Sequence, residues 1–167
     1  NGNWFWWGKS YCNVEEYTAL FQFTISYLRD SLNIHNLIYV YSPDGQFDDY
    51  MERYPGDGYV DILGFDYHFK DEINKKEIDI FTGKLIELSR QATNRNKLAA
   101  ISETSSESLN DPTWFAKPIL ETINSNKDKI NLAYFIIKMN ESRSNFEVDI
   151  KNLNKRDSFN KMNFDSL

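Results

Sequence analysis

Four short runs of residues that are apolar on both faces recur along the chain, with helical stretches between them. They are Leu37-Ile38-Tyr39-Val40-Tyr41, Val60 to Asp66, Leu98-Ala99-Ala100-Ile101-Ser102-Glu103, and Leu132-Ala133-Tyr134-Phe135-Ile136-Ile137. A strand with one wet face alternates apolar and polar residues. Runs without that alternation belong to parallel sheets covered on both sides, so the pattern predicts successive βα units. The intervening stretches carry helical spacing: Tyr17, Leu20, Phe21, Thr24 and Leu28 within 14–33, then Ile78, Phe81, Leu85, Leu88 and Ala92. Asp111-Pro112 has the form of an N-cap and first helical residue, with Phe115, Ile119 and Ile123 on one face behind it. Ser42-Pro43-Asp44-Gly45 and Pro55-Gly56-Asp57-Gly58 are turns, because proline presets φ and glycine accepts positive φ. No Gly-, Ser- or Pro-rich linker divides residues 1–167, which form one unit. Two architectures fit: a small open α/β sheet, or part of a (β/α)8 barrel, which takes about 250 residues when whole.

Charge narrows the partners. A net charge of −6 argues against a nucleic-acid ligand, whose phosphates call for a basic face. Cys12 is the only cysteine, which excludes a disulfide framework and a thiolate metal site. Nothing in the pattern calls for a cofactor or a metal. No run of about 18 apolar residues is present to span a membrane.

In parallel α/β folds the functional groups collect at the C-terminal ends of the strands. Those ends carry Ser42 and Asp44, then Asp66 with Tyr67 and His68, then Glu103, then Lys138 and Asn140. Aromatic residues make up 16% of the chain, and Trp4-Phe5-Trp6-Trp7 places four in a row between Gly2 and Gly8. Flat apolar rings with a polar N–H edge suit a sugar platform. Carboxylates at two strand ends beside such a platform point to glycoside chemistry, in which one carboxylate attacks and a carboxylic acid protonates the leaving oxygen. Glu103 is the candidate nucleophile. Glu107, four residues on, is a weaker second carboxylate, and His35 is expected at the surface of a helix-to-strand turn.

Several of these segments, in order, resemble glycoside hydrolase family 26, the β-mannanases. They are Asn1-Gly2-Asn3-Trp4-Phe5-Trp6-Trp7-Gly8, Asn36 to Asp44, Arg53-Tyr54-Pro55-Gly56-Asp57, Val60 to Asp66, Ser102-Glu103-Thr104 and Asp111-Pro112-Thr113-Trp114-Phe115. The resemblance implies a (β/α)8 barrel cleaving β-1,4-mannan, glucomannan or galactomannan with retention, in a secreted, periplasmic or cell-surface setting. It implies that this chain is the second half of that barrel, about four parallel strands each followed by a helix: a partial catalytic domain running from the loop after strand four to strand eight and a terminal helix. Glu103 then matches the nucleophile, Trp4 lines the sugar site, and Asp66 helps to hold substrate. The acid/base glutamate would lie just upstream of Asn1, so its partner would be the N-terminal half or a second copy, and the chain alone would be inactive or a β-glycan-binding remnant. Arg53 and Tyr54 are expected to fix a turn.

The departures from the family pattern are local. A tyrosine usually follows the aspartate after one intervening residue. Here the order is Asp66-Tyr67-His68, which leaves the role to Tyr67, the favoured choice, or to His68. The Trp-Arg-Asn run after the eighth strand becomes Lys138-Met139-Asn140, exchanging an indole for a flexible cation while keeping Asn140 as a substrate contact. Ser105 stands where the family has glycine.

Overall fold

A computed structural model describes residues 5–46, 48–70, 73–106 and 116–137. Four parallel strands lie side by side in chain order: β1 (Val40–Tyr41), β2 (Ile62–Phe69), β3 (Leu98–Ser106) and β4 (Tyr134–Ile137). Helices α1 (Val14–Ser26), α2 (Lys75–Asn94) and the short α3 (Thr122–Ser125) lie in the intervening segments and ahead of β1. This is the parallel α/β arrangement that the apolar runs predict.

Local chemistry sets the helix ends. Asn13 caps α1 in a reciprocal box: the Glu16 N–H donates to Asn13 Oδ1 at 2.9 Å, and the Asn13 N–H donates to Glu16 Oε2 at 2.9 Å. Beyond Ser26 the helix widens into a π-helical turn, Tyr27–Ser31. In α2 the Asn74 side chain accepts the Glu77 N–H, and the far end closes on Asn96 at φ 53°, with the Lys97 N–H donating to the Ala92 carbonyl at 2.9 Å and that of Asn96 to Thr93 at 3.1 Å. Asparagine is one of the few non-glycine residues that tolerates this left-handed position.

One face of the sheet packs against α2. Leu63, Phe65, Tyr67 and Phe69 of β2 join Ala99 and Ile101 of β3 and the stripe Phe81, Leu85, Leu88 and Ala92 in a single buried cluster. Phe81 sits at its centre, with ring centroids 4.9 Å from both Tyr67 and Phe69. Full burial of such a side chain stabilises the fold by about 1.5–3 kcal/mol relative to exposure.

Two expectations need adjusting. The first strand is shorter than 37–41, because the Tyr39 N–H donates to the Asp61 carboxylate at 2.8 Å and the Tyr39 carbonyl accepts from Asp61 and Ile62, so the regular ladder begins only at Val40. Nor is β1 followed by a helix among the described residues. Its crossover to β2 is a loop with one 3-10 turn, Asp57–Tyr59, propped by Tyr50 and Tyr54, whose rings lie 5.6 and 5.3 Å from that of Tyr41. The terminal helix expected at 151–161 and the cap at Asp111-Pro112 lie outside the described residues.

Candidate active site

β3 holds one residue more than either neighbour allows. Its pairing with β2 runs Gly64↔Ala100, Phe65↔Ile101, then Asp66↔Glu103; its pairing with β4 jumps from Ile101↔Phe135 to Thr104↔Ile137. Ser102 is therefore the extra residue of a β-bulge, a device that re-aims side chains. An unbroken ladder would set Ser102 beside Asp66 and turn Glu103 outward beside Tyr67. With the bulge, Glu103 shares the inner face with Asp66, and Ser105 shares it with His68. The bulge is accommodated because position 64 is glycine: a Cβ there would stand 1.9 Å from Ser102 Oγ.

Five polar side chains from three strand ends meet on that inner face. Ser42, just past β1, donates its hydroxyl to Asp66 Oδ1 at 2.8 Å. His68 places Nδ1 2.7 Å from Ser105 Oγ and Nε2 3.6 Å from Glu103 Oε1. The turn after β1 is stitched along β2: the Asp66 N–H donates to the Pro43 carbonyl at 3.1 Å, the Gly45 N–H to the Asp66 carbonyl at 2.7 Å, and Gln46 Nε2 to the His68 carbonyl at 2.9 Å.

Tyr67 is not part of this group. Strand alternation turns its ring to the opposite face, where it is 2% exposed and packed on Phe69 and Phe81. The preference for Tyr67 over His68 is thereby corrected: β2 carries no extra residue between Asp66 and His68, so positions 66 and 68 must share a face and 67 cannot join them. Trp4, Glu107, Lys138 and Asn140 lie outside the described residues.

Beside the carboxylates opens a cavity of about 230 Å³, walled by Phe5, Trp7, Tyr41, Asp44, Asp66 and His68 among others. Its aromatic wall is the loop that begins the chain: Phe5 stacks on Trp7 at 4.6 Å with the rings 8° from parallel, and Trp6 stands edge-on to Trp7, 66% exposed. Arg53 anchors this loop. Its guanidinium donates to the Trp7 and Cys12 carbonyls and lies 5.2 Å from the centre of the Tyr17 ring. Sequence reasoning assigned Arg53 to a turn and missed this reach back across about forty residues. Tyr54 does fix a turn, donating to Asp57 Oδ1 at 2.8 Å, and His35 is exposed beside Asn33 as expected. Among the described residues no group of three or more His, Cys, Asp or Glu side chains is arranged to hold a metal.

Burial pushes the Asp66 carboxyl above the ordinary aspartate range, and the charges of Glu103 and Asp44 push the same way against the Ser42 hydrogen bond and His68. The sign follows directly. A carboxyl whose folded pKa is raised binds protons more readily folded than unfolded, so its ionisation disfavours the native state as pH rises through that pKa. Asp66→Asn, which keeps the acceptor for Ser42, is expected to raise the melting temperature by about 1–3 °C at neutral pH, with the gain vanishing in acid. Thermal melts of the two proteins across pH test this, and an equal melting temperature at neutral pH would refute it.

The sequence pattern of glycosyl hydrolase family 26 matches residues 1–161. A mannan endo-1,4-beta-mannosidase from Bifidobacterium adolescentis is 39% identical over 110 residues, 62% of this chain and 11% of that protein. The solved catalytic domain of a Bacillus sp. family 26 endo-beta-1,4-mannanase superposes with a TM-score of 0.75 at 30% identity, covering 86% of this chain and 39% of that one. A family 26 structure from Muricauda sp. gives 0.73 at 34% identity, covering 83% and 39%. The chain therefore spans about two-fifths or less of each of these relatives. With that match running almost end to end, and with the strand order and inner-face carboxylates described above, the chain belongs to glycosyl hydrolase family 26.

Proposed function

We propose that the chain is the second half of the catalytic domain of a retaining endo-β-1,4-mannanase acting on mannan, glucomannan or galactomannan, with Glu103 as the nucleophile. One observation carries this reading: the bulge at Ser102 turns Glu103 onto the inner face beside Asp66 and His68, next to an aromatic-walled cavity. In the first step a Glu103 oxygen bonds to the anomeric carbon and the glycosidic C–O bond breaks. The departing oxygen takes its proton from the acid/base glutamate expected upstream, in the first half of the barrel or in a second copy. Water, deprotonated by that same glutamate, then displaces Glu103. Asp66 and His68 hold the sugar hydroxyls, together with Asn140, and Trp4 lines the sugar site. A polymeric substrate of this kind places the protein in the secreted, periplasmic or cell-surface space.

The reading is tested by incubating the intact protein with 2,4-dinitrophenyl 2-deoxy-2-fluoro-β-mannoside. Its leaving group departs as a phenolate without needing a proton, so an ester at the nucleophile accumulates. Peptide mass spectrometry is expected to find one fluoromannosyl group on the peptide carrying Glu103. Retardation on a mannan gel with no labelled peptide and no reducing-sugar release would replace the enzyme by a glycan-binding half barrel, its exposed Trp6 serving as contact.

A further inference from the structure

We propose that His68 is a positioning residue for the Glu103 carboxylate, held in its working orientation by Ser105. This rests on the reading of Glu103 as the nucleophile. The three side chains lie in sequence across β2 and β3, with Ser105 Oγ 2.7 Å from Nδ1 of His68 and Nε2 3.6 Å from Glu103 Oε1. An ionised carboxylate only accepts hydrogen bonds, so the tautomer that can donate to Glu103 carries its proton on Nε2. Nδ1 of the neutral ring is then an acceptor, and the Ser105 hydroxyl donates to it. When the ring is protonated, Nδ1–H donates and the same hydroxyl accepts by rotating. A serine at 105 therefore steadies His68 in both states, which the family's glycine could not do. Alternation on β2 and in-register pairing with β3 hold the ring toward Glu103.

The other charged groups that line the cavity with His68 are the acidic Asp44, Asp49, Glu52 and Asp66 and the basic Lys9 and Arg53. The 3.6 Å separation is ion-pair range rather than a hydrogen bond, and contacts of this kind tighten when substrate enters. In the neutral state Nε2–H orients the nucleophile without neutralising it. In the charged state the imidazolium pairs with the carboxylate and holds it back from the anomeric carbon.

Two measurements separate this from the catalytic reading. The first needs no turnover. In a long-range ¹H–¹⁵N spectrum of the intact protein, the ring nitrogens of His68 are identified as the imidazole signals lost in His68→Phe. Glu103→Ala and Ser105→Ala are each expected to shift those signals, and Ser105→Thr, which keeps the hydroxyl, to leave them nearly in place. Signals unmoved by Glu103→Ala overturn the proposal whether or not Glu103 is the nucleophile; if that variant does not fold, Glu103→Gln gives the same readout. The second is the rate of labelling by the fluoromannoside. His68→Phe is expected to slow it about tenfold or more, and His68→Gln, which restores a donor, to recover most of the rate. Equal rates for the Phe and Gln variants overturn it.

Discussion

Replacing Glu103 by alanine is expected to lower mannan hydrolysis by the intact enzyme by about 10⁴-fold while leaving its melting temperature unchanged or slightly raised. The two halves of that result come from one geometry. Glu103 and Asp66 are register partners on adjacent strands, facing the same way, and the Glu103 charge is one of the causes holding the Asp66 carboxyl up. Two like charges side by side destabilise the fold they sit in. Removing one carboxylate deletes the attacking group and relieves its neighbour at the same time. Reducing-sugar release and a thermal melt on the same preparation check both parts. An alanine variant that keeps full turnover removes Glu103 from the nucleophile role, and one that melts well below the parent shows that the carboxylate is a structural partner instead.

The opposite pattern is expected for Gly64→Ala. The added methyl would stand 1.9 Å from Ser102 Oγ and 3.3 Å from the Ala100 carbonyl oxygen. Rotation of the serine hydroxyl relieves the first contact but not the second, nor the 3.3 Å approach to Ser102 Cβ. Ser102 Oγ is buried with no hydrogen-bond partner among the described residues, so rotating it breaks no bond, but the close approach of its Cβ remains. The cost is that of overpacking a tight interior, about 1–3 kcal/mol, and β3 must move at the one place that aims Glu103. Stability and activity should therefore fall together. Ser102→Gly added to Gly64→Ala is expected to restore most of the loss, and a double-mutant cycle measures the coupling. Strict additivity of the two substitutions would show that Ser102 does not pack over Gly64.

What the sequence made legible depends on how far apart the deciding residues lie. The four strands, α2 and its buried stripe, and the collection of Asp66, His68 and Glu103 at strand ends follow from patterns within ten or twenty residues. The choice between Tyr67 and His68 was open to the same local logic, since positions 66 and 68 share a face on any regular strand; the family resemblance drew attention to tyrosine and away from that rule. The bulge at Ser102 was not legible in this way. Leu98 to Glu103 has no feature that separates an even strand from a bulged one, and the extra residue exists only relative to β2 and β4. Gly64, an isolated glycine inside an apolar strand, was the one trace of it. Arg53 was missed for the same reason: its partners Trp7 and Cys12 are remote in sequence, and a turn next to Pro55 accounted for it locally.

The surplus residue in β3 also means that the two ends of this strand are phased separately. Up to Ile101 the outward positions are the odd numbers, Ala99 and Ile101, and after the bulge they are the even ones, Thr104 and Ser106. The core against α2 and the polar wall facing Asp66 and His68 are thus written in two reading phases joined at Ser102. Substitutions that improve packing on one side of that joint need not be in step with those that reshape the other, so the hydrophobic half of the strand can drift in sequence without turning Glu103 away from its neighbours.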